Sequence, residues 1–240
     1  MNESIARLST GIRSMYGGDA AGQSVANSLG ARGASFAVAA RNAEDGISFL
    51  QSAESVLLEM AALTTRLREL GVQYANNGLL TLTDEAALNA EAIAIGDALL
   101  SVASNTTFNG VVMVGNATAI EVGINDAGDT ATIGTATSIA NANMGDITGA
   151  NGVDGSADTA LGSIATSLGN VAAGMVSLKG YQAVASNSSA NLKAAAARIQ
   201  DTDFALETAN LTKASVLNQS AMAMVAQANQ AQNAILAVIQ

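Results

Sequence analysis

The 240-residue chain contains no cysteine, histidine, proline or tryptophan. Without cysteine and histidine it has no thiolate or imidazole metal ligand, no disulfide and no Ser/His/Asp or Cys/His nucleophilic site. The usual general base near neutral pH is also missing. The absence of proline permits long uninterrupted helices, because nothing removes a helix donor or clashes with the preceding turn. These absences argue against an enzyme, and we expect neither a metal nor a cofactor.

Aromatic residues make up 3% of the chain, and the formal net charge is −10. The core is therefore built from Ala, Leu, Ile, Val and Met, whose small side chains favour close helix–helix contact. The acidic balance argues against nucleic acid and anionic membrane surfaces as partners. No window reaches the roughly 18 apolar residues of a transmembrane helix, so no membrane insertion is expected.

Apolar residues recur at helical spacing through most of the chain. In the first long helix, which we expect from Asp19 as N-cap to about residue 76, they are Phe36, Ala43, Ile47, Leu50, Leu57, Met60, Leu67, Leu70 and Tyr74. A second helix is expected from Thr83 as N-cap to about residue 104. A third is expected from about Asp158, and its apolar stripe is Leu161, Ile164, Leu168, Val171, Met175 and Leu178. Residues 201–203 (Asp-Thr-Asp) introduce either a fresh cap or a kink before the last helix.

The middle of the chain has a different composition. Residues 108–150 are rich in glycine and β-branched residues, and two strands are expected at 119–124 and 130–133. The intervening Asn-Asp-Ala-Gly-Asp lacks the ligand spacing and closing Glu of a calcium loop, so we interpret it as a hairpin turn.

Two further features are candidates for contacts with partners: a charge cluster in the first long helix and an apolar segment near the end of the chain. Arg66, Arg68 and Glu69 form a charge cluster in a helix with few other charges. Such a cluster is more often a solvated helix face than a recognition patch, and both interpretations stay open. Near the end of the chain, AILAVI (234–239) is apolar almost all round, which is typical of a helix buried in its own molecule or in a neighbour.

Sequence blocks at both ends resemble the bacterial flagellin family. At the N-terminal end they include ARLSTGIR (6–13), RNAEDGIS (41–48), TRLRELGVQYAN (65–76) and TTFNGV (106–111). At the C-terminal end they are ARIQDTDFALETANLTKASVLNQ (197–219) and VAQANQAQNAILAVIQ (225–240). The resemblance implies a mainly α fold: an elongated bundle of long antiparallel helices, a small β-hairpin region and a C-terminal helix of the filament-core type.

The resemblance also implies an order of domains. A spoke-like segment would occupy residues 1–18, and N-terminal bundle helices 19–110. A short variable hairpin and loop region would follow at 111–157, in place of the large outer domains of many flagellins. A C-terminal bundle helix would occupy 158–200 and a filament-core helix 201–240. Flagellins have a further N-terminal helix that is missing here, so we expect a truncated sequence.

A flagellin is a structural subunit that is secreted and polymerises into the extracellular flagellar filament for motility. The implied partners are further copies of the chain, filament cap and junction proteins, and an export chaperone that wraps the C-terminal segment. The residues implied for assembly or chaperone binding are Val216, Leu217, Met224, Val225, Ile235, Leu236 and Ile239. Alternatives are a hook–filament junction protein and a flagellin-like surface adhesin or binding module.

The vertebrate Toll-like receptor for flagellin is a further implied partner. In flagellins that it detects, it contacts an Arg and a Leu of the first long helix and a Glu of the next. The matching positions here are Arg66, Leu70 and Glu91. Thr65 replaces a usual Gln, so weaker binding is expected. A solvated helix face that packs against the next subunit is an equally good interpretation of these residues.

Overall fold

The computed structural model describes residues 2–13, 19–114, 120–133 and 153–239, with side chains except those of 153–154 and 234–239. Its α-helices are α1 (Asn2–Thr10), α2 (Ala20–Tyr74), α3 (Leu82–Asn105), α4 (Val153–Gln200) and α5 (Phe204–Ile239), with a 3₁₀ turn at Asn77–Leu79. The strands are β1 (Thr107–Phe108), β2 (Val111–Val112), β3 (Ile120–Gly123) and β4 (Thr130–Ile133). The mainly α fold with a small hairpin region is confirmed.

The chain divides into two compact units. The central unit is Ser35–Ser189, and the terminal unit combines Met1–Ala34 with Ala190–Gln240. Helices α2 and α4 contribute residues to both units.

Contacts between helices of the central unit establish that α2 and α4 are antiparallel. The Glu44 side chain accepts a hydrogen bond from Gln182, and Arg68 donates one to Asp158. From the first contact to the second, the α2 residue lies further along the sequence by as many residues as the α4 residue lies further back. This pattern occurs when two helices run antiparallel. Arg66 of α2 contacts Glu91 of α3 across the short connection at residues 75–81, so this pair is antiparallel as well.

The central core follows a heptad stripe along α2. Alternating steps of three and four connect its buried residues: Ala43, Gly46, Leu50, Ala53, Leu57, Met60, Thr64 and Leu67. The one hydroxyl in this stripe, that of Thr64, donates a 2.7 Å hydrogen bond to the Met60 carbonyl oxygen. This bond satisfies a polar group that would otherwise be costly to bury. Leu99 of α3 and Ile164 of α4 belong to the same core.

The buried stripe of α4 differs from the predicted one at every second position. Ile164, Val171 and Leu178 are buried as predicted. Leu161, Leu168 and Met175 are only half-buried, whereas Ala160 and Ser167, one residue before the first two, are buried. A Cβ added to Gly174 would lie 3.0 Å from Leu50 Cδ1. Small residues are therefore favoured here, because they allow α4 to approach the large side chains of α2 closely.

Two antiparallel hairpins complete the central unit. The β3–β4 register, Ile120 opposite Ile133, confirms the strands predicted at 119–124 and 130–133 within the described residues. The Asn125 side chain accepts hydrogen bonds from the backbone N–H groups of Ala127 and Asp129, which confirms the hairpin turn. The sequence analysis missed the β1–β2 hairpin.

In the terminal unit, α1 packs on the first turns of α5. Arg7 of α1 lies 3.8 Å from Glu207 of α5, whose side chain is buried. A backbone connection, which we call the clasp, joins residues 11–13 to residues 199–202. In it the Arg13 N–H donates to the Gln200 carbonyl oxygen at 2.7 Å, and the Thr202 N–H donates to that of Gly11 at 2.9 Å.

The Arg13 side chain extends the clasp. Its guanidinium donates two hydrogen bonds to the Ile199 carbonyl oxygen, at 3.0 and 3.3 Å, and it lies 3.1 Å from Asp19. A cation is favourable at the C-terminal end of α4, where the last carbonyls have no partner within the helix.

Several helix boundaries test the capping predictions. Asp19 does cap α2, because its carboxylate accepts the Gly22 N–H at 2.8 Å. Asp203 accepts the Ala205 and Leu206 N–H groups, so the interruption before α5 is a fresh cap. The N-cap of α3 is Thr81 and not the predicted Thr83. Helix α4 begins at Val153, earlier than the predicted Asp158.

By length and composition, α3 and Gly155–Gln200 of α4 are apolar enough to cross a membrane. This corrects the expectation that no window is apolar enough, because frequent alanine raises the mean hydropathy of a helix without a run of large side chains. Core helices of soluble proteins meet the same criterion, so it is weak evidence for a span. Here Leu99, Ile164 and Leu178 of these helices contribute to the central core.

Candidate functional site: a charged patch and an uncovered helix

The charged patch consists of Arg66, Arg68 and Glu69 on α2, Glu91 on α3 and Asp158 on α4. Arg66 donates from Nη2 and Nε to Glu91 Oε1, at 2.7 and 3.0 Å, and from Nη1 to Glu69 Oε2 at 3.2 Å. Arg68 Nε donates to Asp158 Oδ1 at 2.6 Å. The patch therefore connects α2 to both neighbouring helices of the central unit.

These ion pairs are accessible. The Arg66 and Glu91 side chains are 49% and 45% exposed. Hydrogen bonding to Glu91, followed by that to Glu69, raises the pKa of the Arg66 guanidinium above its ordinary value. Arginine is effectively always protonated in proteins, so Arg66 presents a positive charge to any partner. A partner that binds Arg66 has to compete with Glu91 or contact the two groups together.

The three positions matched to the receptor contact do not form one surface. Arg66 and Glu91 are in direct contact, but the Leu70 side chain is 0% exposed and belongs to the central core. The Leu70 side chain therefore packs in the core beneath the patch and adds nothing to its exposed surface. The neighbouring Thr65 is exposed, and its hydroxyl donates to the Ala61 carbonyl oxygen of its own helix at 2.8 Å. That bond leaves the Thr65 hydroxyl proton unavailable to a partner.

Beyond its first turns, α5 is the most exposed helix surface among the described residues. Four of the assembly or chaperone residues are described there, and they are 56–72% exposed: Val216, Leu217, Met224 and Val225. The other three, Ile235, Leu236 and Ile239, lie outside the residues whose side chains are described. Within the described part of the chain, residues 216–233 are all exposed. A helix with so much apolar surface in contact with water is typical of an interaction segment.

The sequence analysis missed a groove in the central unit. It has a volume of about 330 Å³ and lies between α2 and the two hairpins. Asp45, Phe49, Phe108 and Glu121 contribute to its lining, and the two phenyl rings meet edge to face at 5.8 Å. Among the described residues, no group of three or more Asp or Glu is arranged to hold a metal ion. The groove thus combines two phenyl rings with two carboxylates in its lining.

Two family models match the chain at its two ends. The bacterial flagellin N-terminal helical region matches residues 1–119, and the bacterial flagellin C-terminal helical region matches residues 152–239. The chain belongs to the bacterial flagellin family. Because the charged patch and the described part of α5 lie within the matched regions, both surfaces are parts of the flagellin scaffold.

Individual relatives match over nearly the whole flagellin chain. The flagellar filament 33 kDa core protein of Treponema phagedenis is 33% identical over 100% of this chain and 92% of its own length. A flagellin of Halalkalibacterium halodurans is 32% identical over 97% of this chain and 89% of its own. The crystal structure of Bacillus cereus flagellin superposes with a TM-score of 0.42 at 22% identity, covering 63% of this chain and 88% of that one. The two family models and the curated relatives do not favour the junction-protein or adhesin alternatives.

Proposed function

We propose that this flagellin is a structural, non-catalytic subunit that polymerises into the extracellular filament of the bacterial flagellum. The observation that carries the proposal is the family match at both ends of the chain, together with a relative named as a filament core protein. The uncovered apolar surface of α5 supports it, because burial of that surface in neighbouring copies supplies a driving force for association.

The arrangement suits a filament in physical terms. A contact between two different surfaces of identical subunits repeats without closing, and it generates a helical polymer. We assign residues 19–110 and 158–200 to the bundle of each subunit and residues 201–240 to the filament core. Residues 1–18 form the spoke-like segment, and 111–157 form the short variable region. Filament cap and junction proteins would contact the same surfaces at the two filament ends.

The test of polymerisation uses cells that lack their own flagellin and express the full chain. Electron microscopy should show filaments for the wild type. Leu217→Asp should abolish them, because a carboxylate would be buried in the interface without a partner. Asn218→Asp adds the same charge at the adjacent exposed position and serves as the control. Absence of filaments for the wild type, or normal filaments for Leu217→Asp, would contradict the role proposed for α5.

Secretion and chaperone binding are finer parts of the proposal. An export chaperone would cover the α5 surface before assembly, as a groove covers the apolar face of an amphipathic helix. Deletion of residues 201–240 should abolish chaperone binding. The full-chain variant Leu217→Asp/Met224→Asp separates loss of the surface from loss of the segment, and circular dichroism reports whether the remaining helices are folded. Unchanged affinity in both variants would exclude this surface as the chaperone site.

Recognition by the Toll-like receptor for flagellin is proposed for Arg66 and Glu91, with Leu70 supporting the helix beneath them. The contact between the two exposed side chains at 2.7 Å supports a shared recognition surface. Receptor binding should weaken in Arg66→Ala and in Glu91→Ala, and Thr65→Gln should not weaken it. Leu70→Ala is unsuitable as evidence, since it would leave a cavity in the core. Equal affinity for wild type and Arg66→Ala would leave the patch a purely structural role.

A further inference from the structure

The methionines of the described residues differ widely in exposure, and the half-buried Met175 of α4 lies between the two extremes. Met60 and Met113 lie in the central core and are 0% and 6% exposed. Met222 and Met224 of α5 are 66% and 72% exposed. The two thioethers of α5 are thus open to solvent in the isolated chain, whereas the core thioethers are covered.

A thioether sulfur is the most readily oxidised group in this protein, because the chain contains no cysteine. A sulfur lone pair attacks one oxygen of a peroxide, the O–O bond breaks, and the S–O bond of a sulfoxide forms. The sulfur is oxidised, and hydrogen peroxide is reduced to one molecule of water. The step requires contact between sulfur and oxidant, so side-chain exposure determines which methionines react.

We propose that Met222 and Met224 form an oxidation site that controls assembly of the filament. The inference rests on the proposed function, because its effect requires that α5 be buried between subunits. Sulfoxide formation converts a flexible apolar side chain into a polar one. Burial of that polar group without a hydrogen-bond partner opposes association. Oxidised monomers are excluded from the growing filament, while assembled subunits are protected, since assembly covers the same side chains.

The two methionines point to different sides of the helix, because residues two apart in an α-helix are separated by about 200°. A single interface that covers one face of α5 would contact only one of them. A helix surrounded by neighbouring subunits would contact both. The individual variants Met222→Gln and Met224→Gln, which place a polar group of similar length at each position, therefore report which sides of α5 are buried.

The site is tested with hydrogen peroxide on the full-length monomer, followed by peptide mapping with mass spectrometry. Met222 and Met224 should be oxidised well before Met60 and Met113. Polymerisation onto sheared filament seeds is then measured by sedimentation, and the critical concentration should rise about tenfold or more after oxidation. Methionine sulfoxide reductases should restore it. Met222→Leu/Met224→Leu, which keeps the apolar volume, should polymerise equally well before and after peroxide.

The possible outcomes are distinct. Oxidation of the core methionines at the same rate as Met222 and Met224 would overturn the assignment of the site, and this result does not depend on polymerisation. Normal polymerisation of monomers oxidised at both positions would overturn the control of assembly. Failure of the unmodified chain to polymerise onto seeds would instead contradict the proposed function, and the peptide map would still decide the oxidation site.

Discussion

The apolar stripes of α4 and α5 have similar spacing but different environments. In α4, Ile164, Val171 and Leu178 recur every seven residues and are buried in the central unit. In α5, Leu217 and Met224 are also seven residues apart, and they are 59% and 72% exposed. Periodicity therefore identifies an apolar face of a helix. It does not say whether that face is buried by the same chain or by another copy. The following predictions test this difference.

Hydrogen exchange should give the largest contrast. Amides of residues 50–70, beside the fully buried core, should exchange only through global unfolding, which costs about 5–15 kcal/mol in a typical domain. Amides of residues 218–233 should exchange through local opening at a small fraction of that cost, because every residue of this part of α5 is exposed. Uniform protection along α5 in a verified monomer would show that an interaction missing from the structure holds the helix.

Matched aspartate substitutions in the two stripes should differ by several kcal/mol in the free energy of unfolding that they remove from the monomer. Leu178 is fully buried, so Leu178→Asp should destabilise the chain by about 3–5 kcal/mol through lost packing and an unpaired buried carboxylate. Leu217→Asp should change the stability of the monomer by no more than about 0.5 kcal/mol. Urea denaturation followed by circular dichroism measures both. Similar losses in the two variants would mean that α5 is packed in the monomer.

Glycine-to-alanine substitutions test how close the helices of the central unit are. A Cβ at Gly46 would lie 2.9 Å from Leu178 Cδ1 and 3.1 Å from Val122 Cγ2, so Gly46→Ala should destabilise by about 1–3 kcal/mol. At Gly169 of α4 no atom lies within 4 Å of the added Cβ. Gly169→Ala should therefore stabilise the helix by up to about 1 kcal/mol. Thermal denaturation should show a lower melting temperature for Gly46→Ala and a higher one for Gly169→Ala than for the wild type.

Removal of the α3 cap should have the smallest effect. Thr81 and Asp84 form a reciprocal capping box, and Thr81→Ala should cost about 1 kcal/mol. Hydrogen bonds from the Thr81 hydroxyl and then from its backbone lower the pKa of Asp84. The contribution of this carboxylate to stability is thus present above its unfolded pKa and is lost as the pH falls through the lowered folded value. An NMR titration should show the Asp84 pKa rising toward its ordinary value in Thr81→Ala, and an unchanged pKa would contradict this cause.

Some of the structure could be predicted because the signal is local. The cap at Asp19, the turn at residues 125–129 and the core stripe of α2 each depend on residues close in sequence. The Thr81 cap was also within reach, since Asp84 stands three residues after Thr81 and completes a capping box, whereas Ala86 stands three residues after Thr83. The β1–β2 hairpin was marked by Asn109-Gly110, whose positive φ values of 50° and 79° suit a two-residue turn.

Other features depend on tertiary packing that a single helix does not encode. In α4, Leu161 and Ala160 are adjacent, and contact with α2 decides which of them faces the centre. Leu70 was assigned both to the core stripe and to the receptor surface, and its complete burial resolves that conflict in favour of the core. The ion pair between Arg66 and Glu91 could not be read from the sequence either, because it depends on the register of α2 against α3.

The clasp has a consequence for the order in which parts of the chain become structured. Arg13 and the Ile199 carbonyl that it binds are 186 residues apart, so a chain that emerges from its first residue presents α1 long before its partner exists. With nine residues, α1 is too short to be a stable helix alone. We therefore expect residues 2–13 to remain unstructured until residues 199–207, which they contact, have emerged. A stalled chain that stops at residue 189 should be cut by proteases within its first 13 residues and resist them within residues 43–67, whereas the released full chain should resist them in both places.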